Sequence, residues 1–469
     1  MRIICNKTIA LALLPLLLGA CAPMDWQAAA DTPAATIATP AAWLKSDPSI
    51  KTAAPAPDAL AAWWTQFDDP VLDQLIGESL GAAPDVRSAQ ARLRQSRAGR
   101  DLATANLYPS IGASTSATRS RSSSGNTQTL YAAGFDAAWE PPIFGGLHDA
   151  ANGAEADMLA SAASLDSVRA SLAAEVALNY IHLRTAQRRL GIARDNVASQ
   201  GDTLQITEWR AQAGLVTMLD VEQARTNLEQ SRASIPSLEN SRAEAENHLA
   251  LLTGRAAGSL RERLDAVVAL PKAPIEVAVG IPVDTIRQRP DIRAAEFTLL
   301  AETARTAERE ADRYPSLNLS GSLGWQAFSI ASLGSGGLVR SLAGSLAATL
   351  FDGGRIRSRI AVQNAVQEQA LITYEKSLLT AFEDVENALT AYAVGRERVD
   401  ARQKAAASAR NANALARTLY QAGSADFQKV LDTDRTRLSA EDGLASADAE
   451  LLTAIIQLYK ALGGGWQHA

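Results

Sequence analysis

The chain carries one sequence pattern twice, which obliges it to build the same structural unit two times. Pro84-Asp85-Val86-Arg87 running to Tyr108-Pro109-Ser110 returns as Pro290-Asp291-Ile292-Arg293 running to Tyr314-Pro315-Ser316, without a gap and at an offset of 206. Further along the offset becomes 209 and holds, matching Val176 with Val385, Gly214 with Gly423, Val221 with Val430, Leu249 with Leu458 and Gly254 with Gly463. A repeat of about 200 residues is far longer than solenoid periods of roughly 20–50, so each copy is a whole assembly of elements.

The first residues bound the compartment. Arg2 and Lys7, the apolar run from Thr8 to Ala20 and the ending Leu18-Gly19-Ala20-Cys21 read as a cleaved signal over 1–20, too short to span a bilayer as a helix. Leu-Gly-Ala-Cys also matches the lipobox of bacterial lipoproteins, which makes Cys21 the expected lipid attachment site. The other cysteine, Cys5, would leave with the signal, so the mature chain is expected to hold no internal disulfide and no thiolate metal site. Residues 21–60 follow as a tether rich in Ala, Pro and Thr. A net charge of -6 disfavours nucleic acid as a partner, because phosphate-binding surfaces need clustered Lys and Arg.

Proline is missing from 144–235 and from 316–469, and both tracts are rich in strong helix formers. Val176, Leu183, Leu190, Val197 and Leu204 recur every seven residues, as do Leu371, Leu378, Val385, Tyr392 and Val399 with Phe382 and Leu389 in the same seam. Sustained heptads predict coiled-coil packing. As single helices, 147–211 would run roughly 97 Å, against about 35 and 57 Å for 85–107 and 216–253. Two short helices end to end thus equal one long one, and 291–313, 355–421 and 425–462 repeat the sum. This predicts a helical cylinder about 100 Å long with reversals at Ala213-Gly214 and Ala422-Gly423. Pro236, which has Ala445 at its repeat position, predicts a kink or break in the first half alone.

Between each short helix and long helix the period changes to two. Leu317, Leu319, Leu323 and Trp325 alternate with Ser316, Asn318, Ser320 and Ser322, and Leu338, Leu342, Leu346 and Leu350 supply the partner strand. In the first half Tyr131, Ala133, Phe135, Ala137 and Trp139 alternate with polar residues, beside a Ser-, Thr- and Ala-rich strand at 110–120. The expected hairpins span about 109–144 and 315–351, inside repeats at 61–254 and 291–463 that flank a connecting segment at 255–290 and precede a tail at 464–469. Strands with one apolar face are membrane β-barrel elements, and a barrel in lipid must close. Four strands cannot, whereas three copies give twelve. The fold class is therefore mainly α with a membrane β-barrel, two structural repeats per chain and a barrel that closes only in an oligomer.

Six motifs carry a resemblance: Trp63-Trp64-Thr65-Gln66-Phe67-Asp68-Asp69-Pro70, Gly280-Ile281-Pro282, Arg289-Pro290-Asp291-Ile292-Arg293-Ala294-Ala295-Glu296, Tyr314-Pro315-Ser316, Phe351-Asp352-Gly353-Gly354-Arg355 and Tyr459 to Trp466. The chain resembles the outer-membrane factor family, TolC-like, and within it the NodT-type lipoproteins of RND efflux pumps. The resemblance implies a homotrimeric exit duct, a trimeric 12-stranded β-barrel in the outer membrane on a long periplasmic α-helical coiled-coil barrel, working with a periplasmic adaptor protein and an inner-membrane RND transporter and carrying drugs or other small toxic compounds. An outlet for a type I protein exporter, which uses related factors, is the alternative. It also implies a periplasmic gate at the second reversal, with Asp432 at an acidic constriction beside Asp434, and Arg435 at a salt-bridging position. Gln421 stands where the family often has a basic residue and Gln428 where it often has an apolar one, which implies fewer ionic links at the resting gate. Adaptor contact is expected at Ala213, Gly214 and Leu215 and at Gly423, Ser424 and Ala425.

Enzyme chemistry finds no support. His148, His182, His248 and His468 stand apart from one another, and none has a metal-ligand spacing such as HExxH. Gly334-Ser335-Gly336-Gly337 lacks the Lys of a phosphate loop. Four methionines, including Met1 and Met24, make no soft-ligand ladder for copper. No catalytic residue, metal site or cofactor is expected.

Overall fold

The computed structural model describes residues 43–44, 50–51, 60–121, 123, 125–266, 269–273, 277–278, 286–335 and 337–466. The signal segment, Cys21, most of the tether and Gly280-Ile281-Pro282 lie outside the described residues. The chain is mainly helical and divides into two compact units. In chain order its elements are β1 (Ile50–Lys51), a 3-10 turn (Trp63–Phe67), α1 (Pro70–Ala82), α2 (Pro84–Ala105), β2 (Ser110–Arg121), β3 (Thr127–Trp139), α3 (Gly146–Gln212), α4 (Met218–Leu252) and α5 (Arg261–Leu264). Then come β4 (Val277–Ala278), α6 (Pro290–Ala311), β5 (Ser316–Ala327), a 3-10 turn (Ile330–Ser332), β6 (Leu338–Ala347), α7 (Arg355–Gln421) and α8 (Phe427–Ala461).

One unit, residues 92–162 and 294–376, holds a four-stranded antiparallel sheet of order β2-β3-β5-β6. Each hairpin comes from one repeat, and β3 joins β5 to fuse them into one sheet. The pleat sorts the side chains by face. Ile111, Phe135, Trp139, Leu317, Leu319, Leu323, Trp325, Leu338, Leu342 and Leu346 share one face in the observed register. The other face is polar, and Ser114 donates to Asp136 at 2.6 Å there while Ser322 and Ser341 bond at 2.7 Å. Gly134 faces Gly324 across β3 and β5, where an added Cβ would come within 2.5–2.8 Å of the opposite backbone. Below the sheet, the helices of this unit are joined by polar side chains: Arg305 bridges Glu302 and Asp157, and Gln367 bonds Thr303 and Thr306.

The other unit, residues 39–91, 163–293 and 377–469, contains the largest buried residues. Trp63 is fully buried, stacked on Tyr459 at 5.4 Å and edge-on to Phe67. Asp69 caps α1 by accepting from the backbone N–H groups of Val71 and Leu72, and its second oxygen accepts from Tyr180 Oη at 2.7 Å. That bond and burial push the Tyr180 hydroxyl pKa well above its ordinary value. The Trp-Trp motif is thus a packing and capping device. Arg289 is likewise structural: nine-tenths buried, it pairs with Asp291 at 2.8 Å and Asp384 at 3.1 Å and donates to the Ala461 carbonyl at the end of α8.

Two expectations change. The helix α4 runs through Pro236 without a break. Pro236 lies on the exposed side, so the carbonyl it leaves unbonded can meet solvent instead of an apolar core. The heptad seam of α3 also changes residues towards its end. Val176, Leu183 and Leu190 are buried as expected, but then Asn196, Gln200, Thr203 and Thr207 take the seam while Val197 and Leu204 turn to its flank. A straight helix drifts about 20° per strict heptad, and polar partners on the facing helices make the polar residues the better fit.

Candidate functional site

Both reversals use the same local chemistry. At the end of α3, Gly214 adopts φ 72°, Gly214 N–H bonds the Ala211 carbonyl and Leu215 N–H bonds Arg210. At the end of α7, Gly423 adopts φ 76°, with Gly423 N–H on Tyr420 and Ser424 N–H on Leu419. These are two Schellman closures, and the left-handed backbone explains the glycines. Thr217 and Asp220 form a capping box on α4, while the Asp426 carboxylate accepts from Lys429 N–H on α8. The contact surfaces differ. Leu215, Met218 and Leu219 of the first tip are each about two-thirds exposed, whereas Phe427, the counterpart of Met218, is buried with Tyr420, Val430 and Leu431.

The expected gate residues fall into two settings. Asp432 is exposed and accepts only a weak bond from Gln428 at 3.3 Å. Gln421 is exposed, and Arg435 crosses to α4 and donates to Asn227 at 2.8 Å. Asp434 is different: it is 3% exposed, because two residues along a helix rotate it about 200° away from Asp432. There it accepts from Asn413 at 2.7 Å and faces Arg417 at 3.6 Å and Arg437 at 4.0 Å. Arg417 donates onward to Ser199 O and Thr203 of α3, and Arg437 to Asn196. One buried carboxylate therefore ties α7, α8 and α3 together below the second tip.

Sequence reasoning missed Arg210. Its guanidinium lies 4.4 Å over the Tyr420 ring and donates at 2.6 Å to the Tyr420 carbonyl in the last turn of α7, where a cation is favoured. Thr207 bonds the Tyr420 hydroxyl at 3.2 Å. The buried polar positions of α3, spaced four and three apart between apolar heptads, were the available signal. Comparing the repeats shows a further feature. Asp434 and Arg417 occupy the positions of Arg225 and Glu208, which pair at 3.2 Å on the surface. The pair is kept and its charges are exchanged.

The sequence model for outer membrane efflux proteins matches residues 75–255 and 281–464, one match per repeat. The chain belongs to the outer membrane efflux protein family. Its relatives in that family include the pyoverdine export outer membrane protein OpmQ of Pseudomonas putida, 34% identical over 93% of this chain and 94% of that protein. Nodulation protein T of Rhizobium leguminosarum bv. viciae is 29% identical over 98% of this chain and 93% of that one. Among solved structures, the outer-membrane channel OprN superposes with a TM-score of 0.86 at 34% identity, covering 92% of this chain and 99% of OprN. As a family member the protein is an outer-membrane efflux protein. Among the described residues no helix is long and apolar enough to cross a membrane, and no group of three His, Cys, Asp or Glu side chains is placed to hold a metal.

Proposed function

We propose that three copies of this chain form a channel whose 12-stranded barrel spans the outer membrane and whose helices extend into the periplasm. The observation that carries this reading is the sheet: one face is apolar, the other polar, and β2 and β6 leave their outer edges unpaired among the described residues. In lipid those edges must be paired, and copies of the same sheet supply the partners. The chain serves as the passive exit duct of a tripartite RND-type efflux system, receiving small compounds from an inner-membrane pump through a periplasmic adaptor. Export of pyoverdine, in the name of its relative OpmQ, supports a small-molecule cargo over a protein one.

The adaptor docks on the tips, where Gly214 and Leu215 with Met218 and Leu219 present an apolar surface and Gly423, Ser424 and Ala425 one of small residues. Asp432 faces the periplasmic mouth and Asp434 anchors the helix that carries it. Cys21 is acylated and adds a lipid anchor. Purified protein reconstituted in planar bilayers is expected to give discrete single-channel currents. Trimers that insert and never conduct would overturn the channel.

A further inference from the structure

The sheet carries three arginines, Arg119, Arg121 and Arg340, and the register puts all three on its apolar face. On β2 the apolar-face row is Ile111, Ala113, Thr115, Ala117, Arg119 and Arg121; on β6 it is Leu338, Arg340, Leu342, Gly344 and Leu346. Along the strands they differ: the row of Arg340 runs through Leu323 and Phe135 to Ala113, whereas Arg119 and Arg121 stand further along β2 towards its loop. Arg121 closes the last pair of the first hairpin, with Thr127, and Arg119 stands one same-face step below it. Arg340 stands one such step below Leu338, which closes the second hairpin against Trp325. Each arginine thus lies beside a hairpin loop, the sheet end opposite to that where the helices attach. Tyr131 and Trp325 share that face at the same end.

All three arginines are exposed, and no guanidinium among them has a hydrogen bond or an ion pair among the described residues. From Leu317 to Trp325 the apolar face covers about 27 Å of strand. Tilted as barrel strands are, it fills a hydrocarbon core about 20–25 Å high, with Arg119 and Arg121 beyond its loop-side border and Arg340, paired with Leu323, one same-face step inside it. An unpaired guanidinium on a lipid-facing surface needs an anion there, and phosphate matches its donor fork. Arg119 and Arg121 are on one edge strand of the sheet and Arg340 on the other. Closing a barrel from copies of this sheet sets β6 of one protomer beside β2 of the next, and the stagger of tilted barrel strands, about four to six residues across four strands, brings Arg340 level with the Arg119 end of that β2.

We infer that each junction between protomers is a binding site for a phosphorylated glycolipid of the outer leaflet, held by Arg119, Arg121 and Arg340 over a Tyr131 and Trp325 floor. This rests on the trimeric-barrel reading and adds a ligand to it. The glycolipid then acts as a staple across the seam.

The test uses the full-length trimer and bisphosphorylated lipopolysaccharide as probe. Native mass spectrometry measures glycolipid retained per trimer for the wild type, for R119Q/R121Q/R340Q and for R119K/R121K/R340K, with dephosphorylated glycolipid in a parallel arm. Removing charge-assisted phosphate contacts should lower retention at least about tenfold in the glutamine variant. The lysine variant should keep most of it, and the dephosphorylated lipid should bind all three proteins equally weakly. Equal retention of the phosphorylated lipid by wild type and glutamine variant would overturn the site, as would equal retention of the two lipids by the wild type. Single-channel recording of the same samples separates the two readings. Conducting trimers with unchanged lipid retention sink the glycolipid site alone, and a wild type that never conducts sinks the channel. If the glutamine variant fails to assemble, R340Q alone is scored by the same ratio.

Discussion

Truncating Asp434 should loosen the second tip far more than truncating its repeat-related counterpart loosens the first. At 3.6 Å, Asp434 and Arg417 attract with about 4.6 kcal/mol at an effective dielectric of about 20. Burying both groups offsets much of this, so the net value of the pair is small. Removing the carboxylate alone is a different perturbation. It leaves Arg417 without its carboxylate and Arg437 with Glu441 at 3.5 Å as its remaining carboxylate, and losing one partner of a buried pair costs about 3–5 kcal/mol. Arg417 is still 28% exposed, which argues for the lower end. Asp434→Ala should therefore destabilise the start of α8 by about 3 kcal/mol, a rise of about 150-fold in local opening. Glu208 faces Arg225 at 3.2 Å, but the two are 40% and 48% exposed and Arg225 has Glu222 as a second partner. Glu208→Ala should cost no more than about 1 kcal/mol. Amide hydrogen exchange on the solubilised trimer reads both tips at once, at low salt and at about 1 M, where screening acts within roughly 3 Å. Adding Arg417→Ala completes a double-mutant cycle and should show coupling above about 1 kcal/mol. Equal exchange rates in the two single variants, or an Asp434 effect that vanishes in salt, would refute the reasoning.

Four further outcomes are expected. Asp432→Ala should raise single-channel conductance and lower cation preference while changing stability by less than about 0.5 kcal/mol, as for an exposed residue; unchanged currents would take Asp432 out of the gate. Gly423→Ala should cost about 1–2 kcal/mol at the second tip although nothing crowds the site, and Gly423→Asn should recover most of it, as local exchange will report. The Asp291 carboxyl feels burial, which raises its pKa, but the Arg289 ion pair and the Ile292 N–H outweigh it and hold it below the ordinary 3.8. Its stabilisation is present above that value and lost as pH falls through the lower folded pKa, so acid unfolding should begin below about pH 4 and flatten in Asp291→Asn. Cys21→Ala should abolish incorporation of labelled palmitate without preventing barrel insertion, and persistent label would disprove acylation at Cys21.

What the sequence revealed depended on how local the cause was. The reversals at Gly214 and Gly423 were legible because a left-handed backbone selects glycine whatever surrounds it. Strand facing was legible in β3 and β5, where a two-residue period sorts apolar from polar residues, whereas the Ser- and Ala-rich β2 is legible only as a strand. The end of α3 was not legible from apolar heptads. Val197 and Leu204 continue the apolar count, but the partners of Asn196, Thr203 and Thr207 are Arg437, Arg417 and Tyr420, more than 200 positions away. The opposite settings of Asp432 and Asp434 followed from helical phase alone, and reading them as one acidic tip overlooked that rotation. Of the kink or break expected at Pro236, the break does not occur, because which way the residue faces decides whether a helix must break.

The two repeats divide labour within one geometry. Both tips close with the same hydrogen bonds, so the backbone cannot distinguish them. Side chains do. The first tip keeps its ion pair on the surface and its apolar residues Leu215, Met218 and Leu219 exposed, a surface suited to a partner and tolerant of change within it. The second tip turns its ion pair inward, buries Phe427 against Tyr420, and is gripped by Arg210 from the first repeat. Exchanging the charges of a pair preserves its attraction, so either order suits an exposed site. A buried site is less free, because Asn413 donates to a carboxylate and both Arg417 and Arg437 converge on it. Burial therefore fixes the polarity of the second pair, whereas that of the first, exposed and with Glu222 beside Arg225, is held only weakly. Duplication supplied two equal hairpins; under the proposed function the second, anchored by buried Asp434, carries Asp432, and the first offers its exposed apolar residues to the adaptor.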